Sequence, residues 1–118
     1  MQIKLNTMIV QNMEESIKFY TKHLGFKIHS TYNLPNNNKI TLLQDKGEVM
    51  IELIENTDYE TGFYSIGIEV ENIEKEITKL KEKGIKILQE TTKITVGEMA
   101  KIQDPNGVIL VLIHHNLK

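Results

Sequence analysis

The chain has 118 residues and a formal net charge of −2, with 40% hydrophobic and 25% charged side chains, the balance of one ordinary globular domain. That balance excludes a largely disordered chain or a membrane span, and it leaves no basic footprint for nucleic acid. All 14 basic side chains are lysine, and cysteine is absent, which excludes a disulfide framework, thiolate metal sites, cysteine nucleophiles and the planar arginine fork that grips phosphates and carboxylates.

Met1 to Val10 carries neither a long apolar run nor a small-residue cleavage site, so a cytoplasmic location is expected. Within it, Ile3, Leu5, Thr7 and Ile9 alternate with Lys4, Asn6, Met8 and Val10, the period of a strand. Asn12 is a good N-cap with Glu15 three residues on, and Met13, Ile17, Tyr20 and Leu24 recur at helical spacing before Gly25. Three short strands follow, over Phe26 to Tyr32, Lys39 to Leu43 and Glu48 to Ile54, with turns at Asn33 to Asn38 and Asp45 to Gly47.

The pattern then repeats. Tyr64 to Val70 alternates as a strand, and Asn72 caps a helix with the stripe Ile73, Ile77 and Leu80, ending at Gly84. Strands are expected at Ile85 to Gln89, Glu98 to Gln103 and Val108 to Ile113, the last two joined by the tight turn Asp104-Pro105-Asn106-Gly107. Val10 to Glu14 lies over Val70 to Glu74 at an offset of 60. After one deletion, Gly25 to Ile28 lies over Gly84 to Ile87, and Leu53-Ile54 over Leu112-Ile113, at an offset of 59. One unit written twice is the simplest account, with modules of about 1–59 and 60–118 inside a single domain.

Alternation sorts each strand into two faces. One set, Leu5, Ile9, Val49, Ile51, Leu53, Ile66, Ile68, Val70, Leu110 and Leu112, is apolar and suits the helical stripes. The other set, Asn6, Met8, Met50, Glu52, Ile54, Ser65, Gly67, Glu69, Ile109, Val111 and Ile113, mixes polar and apolar residues, as a ligand-enclosing face does.

Val10-x-Asn12-x-x-x-Ser16-Ile17-x-Phe19-Tyr20-x-x-x-Leu24-Gly25-Phe26, Ile51-Glu52-Leu53 and Asp104-Pro105-Asn106-Gly107 together resemble the vicinal oxygen chelate superfamily, which contains glyoxalase I, bleomycin-resistance proteins and extradiol dioxygenases. The resemblance covers nearly the whole chain. It implies an α+β fold of paired βαβββ modules whose sheets curl around a cavity, usually in a homodimer. Glyoxalase I holds its metal with four residues. Carried over by position, its first-strand histidine falls on Asn6, its fourth-strand glutamate on Glu52, its fifth-strand histidine or glutamine on Ser65 and its last-strand glutamate on Val111. Only Glu52 keeps the donor. One carboxylate, a neutral amide and a hydroxyl bind nickel, zinc or manganese weakly, and valine not at all.

The leading expectation is therefore a small-molecule-binding protein without the usual metal, its cavity lined by Asn6, Met8, Met50, Glu52, Ser65 and Val111. Glu52 is the candidate anchor for a cationic or hydroxylated ligand, or a general base, and Glu69 a possible second carboxylate. The absence of arginine counts against a glutathione-type substrate. Two alternatives stand beside this. One is a metal-dependent lyase or isomerase resembling glyoxalase I with a rearranged nickel, zinc or manganese site, for which Glu52 with His29 or His115 is the conceivable cluster. The other is a dimeric interaction module with a closed cavity. His115 has the cavity parity but is expected beyond the regular end of its strand. His23, near a helix C-terminus, reads as an exposed cation. No partner among nucleic acids or membranes is expected.

Overall fold

A computed structural model describes residues 1–35 and 38–116. The chain divides into two compact units, Leu5–Tyr64 and Met1–Lys4 with Ser65–Lys118. Each is built around one strand–helix–three-strand module, so the fold class is α+β with paired βαβββ modules.

In the first module, strand β1 (Gln2–Val10) leads to helix α1 (Met13–Lys18) and then to β2 (Lys27–Asn33), β3 (Lys39–Gln44) and β4 (Met50–Glu55). The sheet order is β2-β3-β4-β1, with β1 and β4 parallel and the other pairs antiparallel. Asn12 starts α1 because its Oδ1 accepts the Glu15 backbone N–H at 3.1 Å, while Glu55 of β4 accepts the Met13 N–H at 2.7 Å. Met13, Leu43 and Leu53 form the core, with Met8, Val10, Ile17, Tyr20 and Ile51 packed around them. Leu43 and Leu53 are fully buried, each contributing about 1.5–3 kcal/mol. Of the expected turn at Asn33 to Asn38, residues 36 and 37 lie outside the described residues, and Asn33 belongs to β2.

The second module repeats the plan with β5 (Gly62–Glu69), α2 (Ile73–Glu82), β6 (Ile87–Ile94), β7 (Gly97–Gln103) and β8 (Ile109–His115). Its order is β6-β7-β8-β5, and β5 and β8 are the parallel pair. Asn72 Oδ1 accepts the Lys75 N–H at 3.0 Å. Ile73 and Ile77 of α2 join Val70, Ala100, Ile102 and Leu112 in the core. Asp104 Oδ1 accepts the N–H groups of Asn106 and Val108, both at 2.8 Å, which fixes the turn into β8.

The two helices differ in a way that explains the two offsets. Residues Phe19–His23 continue α1 as a π-wound turn, whereas α2 is regular over its ten residues. From Asn12 to Gly25 the chain is one residue longer than from Asn72 to Gly84. The wider π turn takes up that residue, and both glycines still end their helices in the left-handed region, at φ +79° and +77°. The π turn also corrects the expected helical stripe: Leu24 is 49% exposed, because the wider winding rotates it out of the row begun by Met13 and Ile17.

Two further boundaries differ from expectation. β6 runs on to Ile94, and β8 extends through both histidines, with His115 opposite Gly97. His115 is thus part of the strand and not beyond it. Gly97 makes that pairing possible: at φ +150° a Cβ there would lie 1.9 Å from the His114 carbonyl oxygen.

Candidate functional site

The parallel register of the first unit decides which side chains accompany Glu52. Leu5 pairs with Met50, Asn6 with Ile51, Thr7 with Glu52 and Met8 with Leu53. Paired residues share a face, so Leu5, Thr7 and Ile9 stand with Met50, Glu52 and Ile54. Asn6 and Met8 therefore do not line the Glu52 face; they point to the helix side, where Met8 packs on the core. The expected division of β1 is reversed, because both of its parities mix polar and apolar residues and only the neighbouring strand distinguishes them. Met50 and Glu52 keep their expected face. On β3, Leu42 is opposite Glu52, so the carboxyl stands between Thr7 and Leu42 with Met50 and Ile54 before and after it.

Glu52 is half-buried there, and the buried Thr7 donates its hydroxyl proton to Glu52 Oε1 at 2.7 Å. Burial holds the carboxyl above its ordinary pKa, because the charged form loses hydration; the Thr7 hydrogen bond pulls partly the other way. Sequence reasoning missed Thr7 because the parity error placed it on the helix side.

In the second unit Ser65 pairs with Ile109 and Gly67 with Val111, so Ser65, Gly67, Glu69, Ile109, Val111 and Ile113 share one face, as expected. Ser65 is buried. The registers also fix how the modules correspond. Thr7 opposite Glu52 matches Gly67 opposite Val111, so the first strands are related by 60 and the last strands by 59. The counterpart of Ser65 is then Leu5, not Asn6. The deletion lies in the helix, after β1, and the offset of 59 does not reach back to it.

This correction bears on the metal. Carried over through these registers, the four ligand positions that the resemblance implies fall on Leu5, Glu52, Ser65 and Val111. Two hydrocarbon side chains, one hydroxyl and one carboxyl do not fit a nickel, zinc or manganese site. Among the described residues no group of three or more histidine, aspartate or glutamate side chains is arranged to hold a metal ion. His29 is exposed on β2 with its Nδ1 3.0 Å from Ser30 Oγ.

Glu69 is engaged by His115. Its Oε1 lies 2.5 Å from His115 Nδ1 and its Oε2 accepts the His115 backbone N–H at 3.0 Å. His114 points to the other side of β8, its Nδ1 3.0 Å from the Val70 carbonyl oxygen. Among the described residues no helix is long and apolar enough to cross a membrane.

Residues 2–112 match the model of the Glyoxalase/Bleomycin resistance protein/Dioxygenase superfamily. The chain is 29% identical over 125 residues to the uncharacterized protein YurT of Bacillus subtilis (strain 168), covering 96% of this chain and 98% of that one. It is 31% identical over 121 residues to the lactoylglutathione lyase of Escherichia coli O157:H7, covering 92% of this chain and 90% of the enzyme. The methylmalonyl-CoA epimerase of Mycobacterium tuberculosis shares the fold at a TM-score of 0.84, with 16% identity, 98% of this chain and 89% of that one covered. By family-model match, sequence likeness and module plan alike, the chain belongs to the glyoxalase/bleomycin resistance protein/dioxygenase superfamily.

Proposed function

We propose that this protein binds a small molecule against the strand face that carries Glu52, without the metal used by glyoxalase I, and works as a cytoplasmic homodimer. The observation that carries the reading is the Glu52 carboxyl itself. It is half-buried among Leu5, Ile9, Leu42, Met50 and Ile54, it has the Thr7 hydroxyl as partner, and burial shifts it toward its protonated form. Such a group answers a ligand with an apolar body and one amine or hydroxyl: it accepts a hydrogen bond when ionised and donates one when neutral. The lack of arginine argues against ligands with several carboxylates.

The test is metal analysis and native mass spectrometry of untagged protein purified under mild conditions. The expected result is a protein with no stoichiometric nickel, zinc or manganese and a small organic adduct that disappears in Glu52→Ala. Stoichiometric metal lost in Glu52→Gln would overturn the metal-free reading. It would favour instead a lyase or isomerase of the glyoxalase I kind, the reading to which the 31% identity with the Escherichia coli lactoylglutathione lyase lends weight.

A further inference from the structure

The second unit carries a titratable pair that the Glu52 reading does not use. Glu69 leaves the end of β5 and His115 the end of β8, two strands that run parallel with Glu69 opposite Ile113. Both carboxylate oxygens of Glu69 are committed to one residue: Oε1 to the His115 ring at Nδ1 and Oε2 to the His115 backbone N–H. The side chains are 27% and 29% exposed respectively, so the pair is sheltered and still reachable.

The chemistry of the partners fixes the state of the ring. An ionised carboxylate only accepts hydrogen bonds, so Nδ1 must carry the proton. In the neutral imidazole the lone pair is then confined to Nε2. The backbone bond to Oε2 alone would have tied the two strands together. The second bond, to the ring, adds orientation: it holds the imidazole by its edge and sets the direction in which Nε2 points. A carboxylate so placed also stabilises the imidazolium that forms when Nε2 takes up a proton.

By strand register Val111, Ile113 and Met99 flank the pair on that face with Gly67, while Lys101 opposite Val111 and the polar Ser65, Gln89, Thr92 and Gln103 lie farther along it. Gly67 leaves the floor without a side chain two residues from Glu69. The close approach of Gly97 to the His114 carbonyl fixes the backbone from which the ring projects.

We infer that His115 is a proton acceptor for a small ligand carrying a phenolic or enolic hydroxyl, and that Glu69 is its positioning residue. The ligand's O–H bond breaks and an Nε2–H bond forms. The electron pair stays on the ligand oxygen, and the imidazolium is balanced by the Glu69 carboxylate; release of the ligand reverses the step. An aromatic or otherwise apolar body suits the surrounding Val111, Ile113 and Met99, and one acidic hydroxyl suits the single lone pair. This inference rests on the second unit alone and stands whether or not Glu52 binds a ligand.

The experiment compares His115 with His23 in the same molecule. Diethyl pyrocarbonate, which attacks the lone pair of a neutral imidazole, is followed by peptide mass spectrometry, with and without millimolar p-nitrophenol. His115 is expected to react several-fold faster than the exposed His23, to be protected by p-nitrophenol while His23 is not, and to fall to the His23 rate in Glu69→Ala. Nitrogen-15 shifts of the ring are expected to report the Nδ1–H tautomer in the unmodified chain and a mixture in Glu69→Ala; selective protection of His115 by p-nitrophenol is the readout that a purely structural tie would not produce. A His115 rate no higher than that of His23, or equal loss of both with p-nitrophenol, overturns the inference. These two comparisons need no variant, so they decide the matter even if Glu69→Ala fails to fold.

Discussion

Thr7 and Glu52 face each other across adjacent parallel strands, and the threonine hydroxyl donates to the carboxyl at 2.7 Å. A buried hydroxyl and a half-buried acid thus satisfy one another on a face they share with Leu5, Ile9, Leu42, Met50 and Ile54. Thr7→Val keeps the shape and removes the donor. The expected cost is about 1–3 kcal/mol, read from urea unfolding, since the acid is left without its partner. The same change is expected to raise the Glu52 pKa further, because the lost bond was the influence holding it down. Carbon-13 titration of the side-chain carboxyl checks this, and a downward movement would contradict it.

The acid also sets a pH dependence of stability. Folded, Glu52 holds its proton to a higher pH than it does in the unfolded chain. Between the ordinary glutamate value and the raised one, the folded state therefore binds more protons. Stability from this group is full below that window and is lost as pH rises through it. Urea midpoints measured from acid to neutral pH should decline more, or rise less, for the unmodified chain than for Glu52→Gln. Parallel slopes for the two proteins would assign the effect to other groups.

Gly97→Ala is expected to destabilise by about 2 kcal/mol or more, since its Cβ would meet the His114 carbonyl oxygen and no flexible atom can give way. The strand end that bears His115 should loosen first. Hydrogen exchange at the backbone N–H groups of His115 and Asn116, bonded to Glu69 and Val96 respectively, is the direct measurement. Unchanged protection there would show that the backbone shifts to accept the methyl group.

The two asparagine caps provide a matched pair. Asn72→Ala is expected to cost about 1 kcal/mol, the usual loss of an N-cap. Asn12→Ala should cost less, because Glu55 still accepts the Met13 N–H and holds the start of α1. Equal losses in chemical unfolding would mean that Glu55 contributes nothing there.

Much of this fold is visible in the residues because local signals agree with one another. Asn12 and Asn72 start helices, Gly25 and Gly84 end them, and the stripe Ile73, Ile77 and Leu80 faces a core. The site was legible only in part. Met50, Glu52, Ser65 and Val111 fell on the faces their spacing implied. Asn6 and Met8 did not, because Leu5, Thr7, Ile9 and Asn6, Met8, Val10 are equally good strand faces, and the register with β4 chooses between them. Leu24 fails for a different reason: helical spacing assumes one winding throughout, and Phe19–His23 breaks that assumption. The Glu69–His115 pair joins residues 46 positions apart through the parallel register of β5 and β8, which spacing along one strand does not encode.

That π turn makes its own prediction. Deleting the exposed Lys22 should convert Phe19–His23 to ordinary α-helix and give the first module the helix length of the second. The circular dichroism spectrum and the β2–β3 pairing seen by nuclear Overhauser effects are expected to survive. Loss of that pairing would show that the extra residue is needed to place β2.

The turn works as an expansion joint. The one-residue difference between Asn12–Gly25 and Asn72–Gly84 is taken up by widening a single coil, so the difference in length ends before the next strand. The difference is thereby confined to the helix, and the strands that follow pair by the same plan in both modules.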